Sequence, residues 1–206
     1  SSIVMWGVNQ VKLTTTVADW FGASGICNPT LFGDWTKPQA YGYFDFPGFN
    51  GATAVDLKRN VAYVTSDPNS SGADDFYAID VSDPKQKPLP KLASFSTSYG
   101  LTDVRTVGAY SYVAAHSAAY QLLAINVSDP NNLDKSKIVI KKDLTATGDT
   151  AYGNAITYAN KKIYLGLTIS TGKEFHIFDI STPSNPIELG SGYEVGATIN
   201  KIAVKN

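Results

Sequence analysis

Cysteine is nearly missing from this chain. Cys27 stands alone, which excludes an internal disulfide framework and any cysteine-based zinc cluster. No reactive-thiol signature surrounds it, so it reads as a buried or incidental thiol. Histidine is almost as scarce: His116 and His176 have no third ligand at metal-like spacing in the sequence. An excess of either charge is also lacking, with 17 Lys+Arg against 18 Asp+Glu, and without a clustered basic face neither nucleic acid nor an anionic membrane surface is an expected partner. No apolar run reaches the roughly 18 residues that would mark a membrane-spanning helix. GxGxxG, Walker and GxSxG sequences do not occur, so nucleotide binding and nucleophilic catalysis have no local support. A Ser-His-Asp arrangement assembled from distant positions needs no such motif, but neither histidine falls in a recognisable pattern. Charged residues make up only 17%, against 12% aromatics with 12 tyrosines, a balance that suits short strands with half-exposed tyrosines.

What the chain does have is a repeat. FYAIDVSDP (Phe76 to Pro84) returns as LLAINVSDP (Leu122 to Pro130) and FHIFDISTP (Phe175 to Pro183). Each copy is an apolar strand ending in Asp or Asn, a β-branched residue, Ser, a polar residue and Pro. The acidic or amide side chain can accept a hydrogen bond from a nearby backbone N–H and fix an Asx turn, while the proline forbids further ladder pairing. Asp80, Asn126 and Asp179 lie 46 and 53 residues apart; Tyr63, Tyr112 and Tyr164 lie 49 and 52 apart. Two independent landmarks drifting together near 50 residues, with about four strands per unit, are the signature of β-propeller blades.

The period-2 runs divide into cycles that each close on the repeat motif. The first is GYFDF, TAVDL, VAYVTS and FYAIDVS; the second LASFST, TDVRTV, YSYVAA and LLAINVS; the third KIVIKKDL, NAITYA, KIYLGL and FHIFDIS. IELGSGY and NKIAV then open a partial fourth. The expected fold is therefore all-β, a propeller-like array of four-stranded antiparallel blades over residues 39–206. Ahead of it, residues 1–22 carry apolar residues at helical spacing (Val4, Val8, Val11; Trp6, Leu13, Trp20) and predict a short amphipathic helix. Residues 23–38, broken by Gly25, Pro29, Gly33 and Pro38, read as a linker. Propeller closure offers two competing expectations: Ser1 to Val17 as strand, with Ile3 to Val8 pairing beside Ile202, or a gene that continues past Asn206. The absence of an initiator Met at Ser1 suggests a processed or shortened start.

Two candidate sites follow. Asp67, Asn69, Ser71 and Asp75 space hard oxygens through a loop with a Gly at position 72, as calcium requires, but Ala78 stands where a bidentate Glu would complete an EF-type loop. An ordinary polar hairpin is the preferred reading of these residues, with calcium as the alternative and no other cofactor expected. Asn69 begins an N-x-S triplet in the same loop and is the plausible glycosylation acceptor in a suitable host. The second candidate is a channel site on the inner strands, built from Asp56, Asp103 and Arg105, which fall in different registers of their expected blades.

The three (F/L)xIDVSDP-like copies, the PxLxxxxS/G segment that follows and the AYV strand resemble the LVIVD-repeat β-propellers, mostly bacterial surface proteins, over about residues 38–206. Asn126 for the usual Asp, Thr182 for the second Asp and the Lys-rich strand at Lys137 to Lys142 depart from the pattern. The resemblance implies structural repeats and says nothing of an activity. SSIVMWGVNQVKL is similar to the stretch that follows the hydrophobic spine of type IV pilins and pseudopilins, which would place a membrane helix upstream and make pilus subunits partners. The functional expectation is a non-catalytic, extracellular or cell-surface binding and adhesion module with an unnamed protein or surface ligand. A propeller hydrolase or lyase with a site at the central channel is the alternative.

Overall fold

Runs such as VAYVTS, YSYVAA and KIYLGL are too apolar to leave either face in water, and the fold places each of them second in a sheet, packed on both sides. The computed structural model describes residues 2–6, 40–46, 51–67, 72–145 and 148–205. In chain order, β1 (Ser2–Trp6) and β2 (Ala40–Asp45) pair in a two-stranded antiparallel sheet. β3 (Ala52–Lys58), β4 (Val61–Ser66), β5 (Phe76–Asp80) and β6 (Lys91–Phe95) form the first four-stranded sheet. β7 (Leu101–Val107), β8 (Tyr110–Ala115), β9 (Leu122–Asn126) and β10 (Ile138–Lys142) form the second. β11 (Gly153–Ala159), β12 (Lys162–Leu167), β13 (Phe175–Asp179) and β14 (Ile187–Glu188) form the third. All pairings are antiparallel between chain neighbours, the meander expected of blades. Among the described residues there is no α-helix, and none long and apolar enough to cross a membrane.

The four-stranded blades are as expected; their phase is not. The motif strand FYAID is the third of its blade, because LASF returns as β6 and pairs beside it, Ile79 opposite Lys91 and Phe76 opposite Phe95. Pro84, Pro130 and Pro183 thus lead the chain to the outer strand of the same sheet and not to the next blade. Ile187–Glu188 likewise completes the third sheet instead of opening a fourth. GYFDF leaves the first blade altogether and pairs with β1. That pairing also corrects the helix reading of residues 1–22 at Ser2–Trp6, whose alternation in SIVMW is satisfied by a ladder in which Ile3 faces Phe44. The partner is therefore not Ile202, and residues 200–204 contain no strand. The rest of the expected helix and the linker at 23–38, with Cys27, lie outside the described residues.

The motif corner behaves as its chemistry requires. Asp80, Asn126 and Asp179 accept from the N–H of Ser82, Ser128 and Ser181 at 2.8, 3.0 and 2.7 Å. The next residue, Val81, Val127 or Ile180, donates its N–H to the hairpin between the first two strands, at Asn60, Ala109 and Lys161 (2.8, 2.8 and 2.9 Å). Its side chain is buried in each case. One tripeptide therefore turns the chain and locks it to the hairpin beside it.

Apolar layers lie between consecutive sheets. Tyr63 and Phe76 of the first meet Leu101, Val104, Leu123 and Ile125 of the second; Tyr112, Leu122 and Ala124 of the second meet Ile156, Ile163, Leu165 and Phe178 of the third. Burying one such aliphatic side chain completely contributes about 1.5–3 kcal/mol, so these layers hold the array together. The tyrosine landmark strengthens them: Tyr63 donates to the Val127 carbonyl at 3.4 Å and Tyr112 to the Pro183 carbonyl at 2.7 Å, each reaching the motif corner of the following blade. On the other side of the first sheet, Phe44 and Phe46 from β2 and its end cover Val64, Tyr77 and Ile79.

Candidate functional site

The first strands of the three sheets, β3, β7 and β11, converge and pack side by side. Around them lies a cavity of about 240 Å³, lined by Thr53, Asp103, Arg105 and Asn154 from the strands and by Asn200 and Lys201 from the chain after the third sheet. Those later residues supply a fourth wall where a fourth inner strand would stand. The reason is a repeated bond. Each inner strand carries an irregularity in its pairing, at Thr53, Thr102 and Asn154, which re-aims that side chain toward the next unit. Thr53 donates to the Leu101 carbonyl at 2.7 Å, Thr102 to the Gly153 carbonyl at 2.7 Å, and Asn154 to the Ile199 carbonyl at 2.9 Å. Ile199 is thereby held where Leu101 and Gly153 are held in the other sheets.

The channel residues singled out in the sequence are present here in structural service. Asp103 accepts from the Ile156 N–H of the next blade at 2.9 Å, from Val104 N–H at 2.8 Å and from Arg105 Nη1 at 3.1 Å. Asp56 accepts from the Thr106 N–H of the next blade. Both carboxylates thus bridge neighbouring inner strands. Their registers need one correction: Asp56 and Arg105 occupy the same position, opposite Tyr63 and Tyr112, while Asp103 matches Ala54 and Ala155. The equivalence is legible once TAVDL and TDVRTV are aligned on Thr53 and Thr102.

The calcium candidates are drawn in different directions. Asp67 meets His116 Nδ1, joining the loops of the first and second sheets, and the His116 ring lies 3.9 Å from that of Tyr152. Asp75 is fully buried and accepts from Thr97 N–H (2.7 Å), Thr97 Oγ1 (2.6 Å) and Gly100 N–H (3.1 Å). Asn69 and Ser71 lie outside the described residues. Among the described residues no group of three His, Cys, Asp or Glu side chains is placed to hold a metal ion. His176, nearly buried within β13, meets Glu188 at 2.7 Å and the Lys173 carbonyl at 3.0 Å.

Asp75 belongs to a series that the sequence reading did not recognise. Gln121 and Glu174 hold the same place, immediately before the third strand, and both are fully buried. Gln121 accepts from Leu144 N–H at 2.7 Å and donates to the Ala118 carbonyl at 2.8 Å; Glu174 accepts from Val195 N–H at 2.7 Å and Gly196 N–H at 3.0 Å. Each clamps the chain as it leaves the outer strand. Burial pushes the Asp75 carboxyl up, against the opposing pull of its hydrogen bonds, whereas the Val195 and Gly196 amides hold Glu174 below the usual carboxylate range despite burial. The signal was available, since these residues sit 46 and 53 apart, the spacing of the motif itself.

Comparison places the architecture among known structures and goes no further. The computationally designed Ika4 protein matches with a TM-score of 0.50 at 12% identity over 82% of this chain and 88% of that one. The designed Ika8 protein matches with 0.50 at 11% identity, over 82% of this chain and 45% of that one. A protein from Lactobacillus plantarum matches with 0.53 at 12% identity, over 74% and 47%. The chain thus spans about half the length of the latter two. No protein-family model and no curated protein sequence matches the chain. Identities this low carry the fold alone: the class is an all-β, propeller-like array of four-stranded antiparallel sheets.

Proposed function

We propose that the chain is a non-catalytic binding module of the LVIVD-repeat kind, displayed at a bacterial cell surface as an adhesive head. The observation that carries this reading is the employment of the axial polar groups. Asp56 and Asp103, the carboxylates a channel-centred hydrolase or lyase would use, are bonded to backbone N–H groups of the next blade. Both carboxylates thereby tie neighbouring inner strands together, which is structural employment. Meanwhile the third sheet and its loops expose Ile169, Ile187, Tyr193 and Val195, each more than half accessible, as a contact surface. The motif residues favour the LVIVD kind.

The test is retention of protein-coated beads on host-cell and abiotic surfaces under flow, set beside a screen of the same preparation for ester, phosphate and glycoside hydrolysis and for lyase activity. Retention above that of uncoated beads, lowered by Tyr193→Ser with Ile187→Ser, is expected. Turnover lost in Asp103→Asn at an unchanged melting temperature would replace this reading with the channel enzyme.

A further inference from the structure

We propose that the axial cavity is a binding site for a small oxyanion, gripped by Arg105 and Lys201. This rests on the reading of the chain as a binding module and names a ligand class for its axis. Charge comes first. Among the described lining residues, two cationic side chains face one carboxylate, and that carboxylate is already satisfied by Ile156, Val104 and Arg105 Nη1. Within the lining, the pair between Asp103 and Arg105 cancels one positive charge and leaves Lys201, while the nearby Asp56 carboxylate lies outside the lining and is turned onto the Thr106 N–H.

Hydrogen-bond capacity points the same way. Among the described residues the Arg105 guanidinium is engaged through Nη1 alone, with Asp103 and the Val104 carbonyl, and Arg105 lines the cavity. The fork of a guanidinium matches the two oxygens of a carboxylate or phosphate, and such charge-assisted bonds are the strong ones. Asn200 accepts from Asn154 through Oδ1, and among the described residues its own N–H groups have no other partner, so they can donate to the same guest. The Asp103 salt bridge also fixes Arg105 before any ligand arrives, which lowers the entropy cost of binding. At about 240 Å³ the cavity exceeds the roughly 30 Å³ share of one water several times over, enough for a small anion and its remaining waters.

The experiment is titration of the whole chain with inorganic phosphate and, separately, with succinate, followed by calorimetry and by the side-chain amide resonances of Asn154 and Asn200. Saturable shifts at those two amides are expected with at least one of the two anions, and which one binds tells phosphate from carboxylate chemistry. Arg105→Gln and Lys201→Gln should each weaken binding about tenfold, the loss expected for one charged hydrogen bond. Lys201 lies outside the strands, so its variant tests the site even if Arg105→Gln disturbs packing. Absence of saturable shifts with both anions, or affinity unchanged in Lys201→Gln, would overturn the site. Incubation with p-nitrophenyl phosphate separates the two readings: binding with release of nitrophenol would keep the oxyanion site and remove the non-catalytic function.

Discussion

Asp75, Gln121 and Glu174 perform one task with different side chains, and acid should act on the two carboxylates in opposite directions. For Asp75 the folded chain holds its proton more tightly than the unfolded chain, because burial raises the carboxyl. Between the ordinary aspartate value and the raised one the native state binds more protons, so this residue's contribution to stability falls as pH rises through that window. Glu174 is the reverse. Its folded value is depressed by Val195 and Gly196, so the stabilisation is complete above the ordinary glutamate value and is lost as pH falls through the folded one. Melting temperatures against pH should show the wild-type advantage over Asp75→Asn shrinking with rising pH, and the advantage over Glu174→Gln growing. Parallel curves for the two pairs would refute the assignment. Asp75 also shows the limit of reading one copy alone: beside Asp67 it suggests a metal loop, and only alignment with Gln121 and Glu174 shows a clamp.

At the scale of elements, blade-to-blade contact at the inner strands is close enough to dictate residue size. A Cβ at Gly153 would stand 2.2 Å from the Gln121 carbonyl oxygen and 2.9 Å from the Ala115 nitrogen, two atoms that are hydrogen-bonded to each other. Neither can yield without opening the second blade. Gly153→Ala should therefore cost about 1–3 kcal/mol, as overpacking does, read as a drop in the denaturant midpoint at unchanged slope. Gly172→Ala, whose added methyl would have nothing closer than 4.0 Å, is the control and should stay within about 0.5 kcal/mol of wild type. The strands themselves were legible because each is a period-2 run bounded by turn residues. The β1 ladder was not, because SIVMW supports either a helical or an alternating pattern and only its partner decides.

Among the described residues, the third of the four-stranded sheets is covered differently from the first two. Tyr63 and Phe76, buried by the second blade, correspond to Tyr164 and Phe175, which are only half-buried behind the third. At the inner edge the segment from Ile199 takes over, bonded through Asn154 to its carbonyl and through its own N–H to Leu167 at 3.0 Å. Asn154→Ala should loosen this segment selectively: hydrogen exchange of the Ile199 amide rises about fivefold, the equivalent of one ordinary hydrogen bond, while amides of β8 and β9 keep their protection. Uniform acceleration would mean that Asn154 supports the fold globally and does not latch a fourth wall.

The amino-acid sequence by itself determined the strands of the three four-stranded sheets and the Asx corner at Asp80, Asn126 and Asp179, because each is a local property written in side-chain alternation and turn chemistry. It did not determine where a blade begins. A tandem repeat read along a line has no marked first strand, and only the pairing of Lys91–Phe95 with Phe76–Asp80 sets the phase. Tertiary structure likewise decided the axial cavity, since Thr53, Arg105, Asn154 and Lys201 are distant in the chain and meet only when three inner strands and a strandless segment pack around one axis.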